Sequence, residues 1–202
     1  MSNSNPPAAP VTTQSSAPPT AQSTAQAAAE PNPLVRNYQE LLALLTRDSV
    51  THEPRVAAEE VIIPTQMGEL ASAQVICWRA ADGALQFIQP LPLEVPVEHL
   101  PAMESALNRL NFGLAFAGYS LSHENRRVLY RLTLPLFVRG GLLPGEIKAY
   151  FSIAVKNAAD ALPVLKRIAN GTLPADRVIP ELQRYMGKAG QGPTTPNSTY
   201  ED

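Results

Sequence analysis

RVLYRLTLPL, residues 127–136, has the most regular pattern in this 202-residue chain. Apolar residues occupy every second position of the segment, and Arg127 and Arg131 lie between them. Because successive side chains of a strand point to opposite faces of a sheet, this alternation predicts a β-strand with one buried face. The polar segment 122–125 before it predicts a turn, and the apolar residues of 114–121 predict the other strand of a hairpin.

Three more strands are predicted upstream, forming a meander, at residues 59–63, 73–78 and 85–88. The second of them is almost continuously apolar, which is typical of a strand covered on both faces. The turn between the second and third contains Gly83, which is free to adopt a positive φ. Pro64 and Pro90 are expected to end the first and third strands.

Apolar residues spaced three or four positions apart predict helices over 34–47, 100–110, 147–168 and 178–186. Asn32-Pro33 is expected to open the first helix, and Gly113 to end the second in a left-handed conformation. Asp160 is expected to start a new helical segment before Pro163. The order α-β-β-β-α-β-β-α predicts an α+β fold, with a mostly antiparallel sheet of about five strands and flanking helices.

The composition changes at both ends of the chain. Residues 1–31 are rich in Pro, Ala, Ser, Thr and Gln and predict a disordered arm, 32–186 the folded domain, and 187–202 a flexible tail. No apolar run reaches the roughly 18 to 20 residues of a membrane span, and the amino terminus lacks the pattern of a secretory signal. We therefore expect a cytoplasmic protein with no membrane partner.

Residues suited to catalysis or metal binding are few. There are one cysteine and three histidines, and neither His52-Glu53 nor His123-Glu124 is followed by the second histidine of a zinc-protease helix. Cys77 lies inside a predicted strand, where a buried structural thiol is expected. The sequence predicts no catalytic residue, metal or cofactor, and no enzyme.

The net charge of −2 is a cancellation between two oppositely charged parts of the chain. Residues 48–104 hold nine acidic and two basic residues, net −7, whereas 109–188 hold five acidic and twelve basic residues, net +7. The fold could interleave these charges. It could also separate them into two faces, which would favour self-association or docking of an acidic partner. In the second case Arg127, Arg131 and Arg139 would form a basic patch.

A family resemblance extends over about residues 96–168. It rests on Leu107-Asn-Arg-Leu-Asn111, Phe116, the Tyr119–Leu121 segment, the strand at 128–132 and the helix after Gly141. With these motifs in this order, and with Gln74-Val75 and Phe87-Ile88 upstream, the chain resembles the YbjN-like family, described as regulators of bacterial sensory transduction. The resemblance implies a fold similar to type III secretion chaperones, which are small acidic homodimers that bind segments of client proteins, and it implies no enzymatic activity.

Two functions from different classes follow. The first is a chaperone-like or adapter protein, a homodimer that binds a client protein of unidentified type through a sheet edge or a helix-flanked groove. Asn108 and Asn111 share one helix face and could recognise a client backbone, or they could serve to end the helix and to form a hydrogen bond with the next strand. The alternative is a nucleic-acid-associated accessory factor using the basic carboxyl half, although Tyr130 falls on the face opposite Arg127 and Arg131.

Overall fold

A computed structural model of the chain describes residues 34–114 and 117–189, all of them in the unit that begins at Asn32. The predicted arm, 1–31, and the part of the predicted tail beyond Ala189 lie outside the described residues. The elements are α1 (Tyr38–Arg47), β1 (Glu53–Arg55), β2 (Glu60–Met67), β3 (Leu70–Arg79), β4 (Ala84–Glu94), α2 (Leu100–Phe112), β5 (Ala117–Ser122), β6 (Arg127–Pro135), α3 (Pro144–Ala169) and α4 (Val178–Ala189).

The strands form one antiparallel sheet in the order β1-β2-β3-β4-β6-β5. This arrangement confirms the predicted α+β class, the β2–β3–β4 meander and the β5–β6 hairpin. The sheet has six strands instead of about five, because the three-residue strand β1 adds to the edge beside β2. Gly83 adopts the predicted left-handed conformation, with φ of 60°, in the turn between β3 and β4.

One face of the sheet forms the hydrophobic core with the helices. The strand register places Val61, Ile76, Phe87 and Leu132 side by side on this face, and each is at most 3% exposed. Helix α3 packs across β4 and β6, and α2 packs along β5. We call this the inner face; the alternate residues of the same strands form the outer face.

Prolines do not end the strands where the sequence predicted. Strand β2 continues through Pro64, because β1 pairs only with the first three residues of β2 and so requires no N–H from Pro64. Strand β4 continues through Pro90. The pairing of β4 with β3 ends at Ile88, whereas its pairing with β6 extends to Pro90, which lies opposite Leu129. Beyond Ile88, side chains connect β3 and β4 in place of the ladder. Gln89 Nε2 donates to the carbonyl of Ala73, and the Ser72 hydroxyl donates to the carbonyl of Pro90.

Four helix predictions also need correction. Helix α1 begins after Asn37, whose side chain accepts the N–H of Glu40, so Leu34 lies outside it. Helix α3 is continuous through Pro163 rather than restarting at Asp160. Gly113 ends α2 with φ of −90°, in the right-handed region. Helix α4 ends at Ala189, three residues beyond the predicted helix over 178–186.

Candidate functional site

The outer face of the sheet carries an apolar centre that stands apart from the core. The register aligns Ile62, Val75 and Ile88 across β2, β3 and β4, with Leu129 nearby on β6. These four side chains are half-buried, and none belongs to the hydrophobic core or packs against it. The outer face therefore exposes apolar surface that the described helices do not use.

Opposite charges flank this apolar centre. Glu60 lies on β2, and the exposed Arg127 and Arg131 lie on β6, which is three strand spacings, about 14 Å, across the sheet; both arginines are also offset from Glu60 along the strand. Within the described residues neither arginine has a carboxylate within 4.0 Å, nor does Glu60 have a basic nitrogen within that distance. Arg139 is not brought to the same place, since it pairs with Glu146 of α3 at 3.0 Å.

The fold interleaves the acidic and basic parts of the chain, which is one of the two predicted charge arrangements. On the helix side, the acidic and basic parts of the chain interleave: Lys148 of α3 pairs with Asp48 at 2.9 Å, and Arg47 bonds the same carboxylate at 3.1 Å. The hydrogen bonds from Lys148 and then Arg47 hold the pKa of Asp48 below its usual range. On the outer face the strand register also places opposite charges side by side, Arg55 beside Glu60 and Glu94 beside Arg127, although neither of these pairs comes within 4.0 Å.

The Cys77 thiol lies on the outer face but is only 4% exposed. Its Sγ donates to Oε1 of Glu60 at 3.6 Å. Burial first, and then the neighbouring Glu60 carboxylate, raise the pKa of this thiol to about 11. The thiol is therefore protonated near neutral pH, as a structural cysteine is. No cluster of three metal-ligating residues occurs in the described parts of the chain.

Asn111 occupies the free edge of β5. Its Nδ2 donates to the carbonyl of Tyr119 at 2.8 Å, and its Oδ1 accepts the N–H of Tyr119 at 2.6 Å. The carboxamide thus satisfies the backbone groups that an added strand would need at this position. At the other edge, β1 is three residues long and contains Pro54, which cannot donate a ladder hydrogen bond. Both edges of the sheet are therefore poor places for a client strand to add.

A groove lies between the ends of α2 and α4 and the middle of α3. We call it the helix groove; its volume is about 270 Å³. Its lining residues are Leu110, Gly113, Leu114, Tyr119, Asn157, Asp160, Ile179, Leu182, Gln183 and Met186. Met186 on its wall is 49% exposed. Phe112, which precedes the lining residue Gly113 in the chain but does not itself line the groove, is 96% exposed.

A polar network holds Tyr119 and Asn157 in place in the groove. The Tyr119 hydroxyl donates to the carbonyl of Asn157 at 2.8 Å, and Asn157 Nδ2 donates to the Tyr130 hydroxyl at 2.7 Å. The two tyrosine rings meet edge to face, with centroids 4.9 Å apart. Burial is the main cause that raises the pKa of both phenols. The groove thus has a fixed base and an apolar wall that is exposed at Met186.

A second cavity, of about 310 Å³, lies between α1, α3 and the inner face. Most of its apolar lining is deeply buried, including Leu44, Ile63, Ile76 and Ile147, each at most 5% exposed. The Asp48–Lys148 ion pair lies at its border and leaves no unpaired charge from these two groups. This cavity also opens to solvent, at the exposed Lys148 and Ser152, but its apolar lining is deeply buried, whereas the apolar lining of the helix groove includes the exposed Met186.

The sequence predicted a helix-flanked groove as one possible client site, but it identified none of the residues that line the helix groove. Its walls come from four separate segments, and no linear motif joins them. One signal was present, because Ile179, Leu182 and Met186 recur at helical spacing on α4. Asn108, the other predicted amide, is exposed on α2, four residues before Phe112 and therefore on the same helix face.

No helix among the described residues is both long and apolar enough to cross a membrane. Residues 37–167, about two thirds of the chain, match the family described as "YbjN: Putative bacterial sensory transduction regulator". Among solved structures, the chain is similar to "YbjN, a putative transcription regulator from E. coli", with a TM-score of 0.50 and 13% identity, over 70% of this chain and 99% of that one. At this identity the likeness concerns the fold alone. The comparison with curated proteins found no match.

Proposed function

The chain belongs to the YbjN family, and from this membership and the geometry above we propose that it is a non-enzymatic regulatory or adapter protein of the cytoplasm. It acts as a homodimer and binds a client protein through the helix groove. The observation that carries the proposal is the groove itself, an apolar channel whose lining residue Met186 is exposed to solvent, with the exposed Phe112 next to the lining residue Gly113 in the chain.

The client that fits this groove is a short protein segment with apolar side chains. Exposed apolar residues beside a groove are typical of protein interaction sites, because a partner removes their surface from water. The blocked sheet edges favour the groove over strand addition. Asn108, exposed on the same helix face as Phe112, offers a carboxamide to the client backbone. Asn111 is left out because its carboxamide already bonds Tyr119.

Capture experiments with groove variants test this proposal. The full chain is immobilised, proteins are captured from a native lysate, and the bound proteins are quantified by mass spectrometry. Phe112→Glu and Met186→Glu, made separately, are expected to reduce the capture of a specific client at least about tenfold, because each puts a carboxylate where an apolar side chain of the client would pack.

Val56→Glu is the matched control, because Val56 is 60% exposed and lies in the turn between β1 and β2, outside the groove lining. It should capture the client as the unmodified chain does. Equal capture by all four proteins would exclude the helix groove as the client site. If the immobilised unmodified chain captures no protein that the empty resin does not also capture, the adapter function itself would be overturned.

The alternative, a nucleic-acid-associated factor, has one supporting observation, the unpaired Arg127 and Arg131 on the outer face. Tyr130 is on the inner face and 1% exposed, so it cannot stack on a base there. We expect no binding of labelled DNA or RNA oligonucleotides at about 50 mM salt, where phosphate contacts are strongest. Binding that weakens steeply with salt and is lost in Arg127→Glu would favour the alternative.

A further inference from the structure

We infer that the cavity between α1, α3 and the inner face binds a medium-chain carboxylic acid, with the hydrocarbon tail inside and the carboxylate at Lys148. We call it the core cavity; its volume is about 310 Å³. The inference goes beyond the proposed function, because the core cavity and the helix groove have no lining residue in common.

The inside of the core cavity is suited to a hydrocarbon. Its most buried lining consists of aliphatic side chains from α1, β2, β3 and α3, each at most 6% exposed: Leu44, Leu45, Ile63, Ile76 and Ile147. None of these side chains forms hydrogen bonds. A peptide segment inside would therefore leave its backbone N–H and C=O groups unpaired, whereas a hydrocarbon chain has no such groups.

The size of the core cavity fits a single alkyl chain. Small-molecule sites in proteins are mostly apolar with a few polar groups, and their volumes start at about 300 Å³. An apolar cavity of about 150 Å³ accommodates one benzene molecule, so a cavity about twice as large takes a chain of roughly ten carbons. Each methylene that leaves water for this lining adds to the affinity.

The polar groups of the lining lie where the core cavity meets solvent. Lys148 and Ser152 are exposed, and their spacing of four residues places them on one face of α3. Asp48 is the other polar residue of the lining and pairs with Lys148 at 2.9 Å. The lining therefore favours an amphipathic ligand, with its head at this opening and its tail against the aliphatic side chains.

The charges at the opening favour an anionic head. Lys148 and Arg47 both contact Asp48, and their hydrogen bonds lower the pKa of Asp48, so its carboxylate is ionised at neutral pH. Two cations around one carboxylate leave one positive charge in excess. The Lys148 ammonium has three N–H donors, of which Asp48 needs one, and its side chain is 62% exposed. A ligand carboxylate neutralises the excess, whereas a cationic head would meet two like charges.

Methyl NMR tests the inference on the full chain, with the isoleucine δ1 methyls labelled and decanoate as the probe. Decanoate is expected to shift the signals of Ile63, Ile76 and Ile147, which line the core cavity, and to leave those of Ile62 and Ile88 on the outer face unchanged. Decanol has a chain of the same length and a neutral head, and should bind at least about tenfold more weakly. Unchanged signals from the three lining isoleucines at millimolar decanoate would overturn the site.

Lys148→Gln tests the role of the ammonium. It should weaken decanoate binding at least about tenfold and change decanol binding less than about twofold, because only decanoate carries a charge. Lys156→Gln is the matched control, since Lys156 is exposed on the same helix, pairs with Asp160 and does not line the core cavity. It should bind decanoate as the unmodified chain does. Equal decanoate affinity in Lys148→Gln and Lys156→Gln would overturn the placement of the carboxylate.

Ser152→Trp tests the path of the tail. Ser152 is exposed at the opening, so a large side chain there should block both decanoate and decanol while the chain stays folded, which circular dichroism checks. Decanoate binding as strong as that of the unmodified chain would mean that the ligand does not enter the core cavity. None of these outcomes bears on the capture of a client through the helix groove.

Discussion

Phe87→Ala is expected to lower the free energy of unfolding by about 3–5 kcal/mol. Phe87 is 0% exposed at the middle of the inner face, directly between Ile76 of β3 and Leu132 of β6. Removing the ring loses its buried apolar surface and leaves a cavity that strands held in a ladder on both sides cannot close. Urea denaturation measures the loss as a lower midpoint at an unchanged slope.

Gln86→Ala, one residue earlier in the same strand, is the control for this prediction. Gln86 is half-buried and points to the outer face, so its truncation should cost less than about 1 kcal/mol. Because only one face of the sheet contacts the core, the loss of unfolding free energy should be much larger for Phe87→Ala than for Gln86→Ala. Similar losses at the two positions would contradict the assignment of inner and outer faces.

Period-two alternation made the faces of β6 predictable from sequence. The pattern of residues 127–136 places Tyr130 and Leu132 inside and Arg127 and Arg131 outside, and the structure confirms this placement. Burying an apolar side chain is energetically favourable, so the apolar positions of the strand can be assigned to the inner face from the sequence. The identity of the neighbouring strand has no such local signal. That β6 pairs with β4 is therefore known only from the fold.

Proline positions show why local chemistry alone misplaced several boundaries. Proline removes an N–H, and this loss ends a strand or helix only where the N–H is needed. Pro64 lies where β1 no longer pairs with β2, and Pro90 lies where β3 has separated from β4. At Pro163 the buried residues on either side, Leu162 and Val164, pack helix α3 into the core and maintain it through the missing bond.

The outer face and the helix groove were likewise predictable only as far as the signal lies within one segment of the chain. The exposed arginines of β6 follow from alternation along one strand, and the sequence therefore identified half of the outer-face charge pattern. Its other half, Glu60, lies on β2, three strands away, and only the strand order relates them. The helix groove needs contacts between α2, α3, α4 and β5, which lie far apart in the chain. Spacing within one segment cannot reveal such a site.

Asn111→Ala is expected to lower the free energy of unfolding by about 2–3 kcal/mol, because it removes two hydrogen bonds from partly buried backbone groups of Tyr119 and leaves both without that partner. The effect begins locally. Strand β5 is the sheet edge and depends on β6 and on Asn111 at this point. Amide hydrogen exchange should therefore show a selective loss of protection at Tyr119, alongside a lower midpoint in urea.

Asn108→Ala separates this edge-capping role from a general effect of altering α2. Asn108 is exposed, lies three residues earlier on the same helix, and should change stability by less than about 0.5 kcal/mol. Asn111→Asp keeps the oxygen that accepts the Tyr119 N–H and loses the group that donates to its carbonyl, so an intermediate loss is expected. Equal stability of Asn111→Ala and Asn108→Ala would mean that the carboxamide does not hold the edge. The edge of β5 would then be open to a client strand, and strand addition would replace the helix groove as the preferred binding mode.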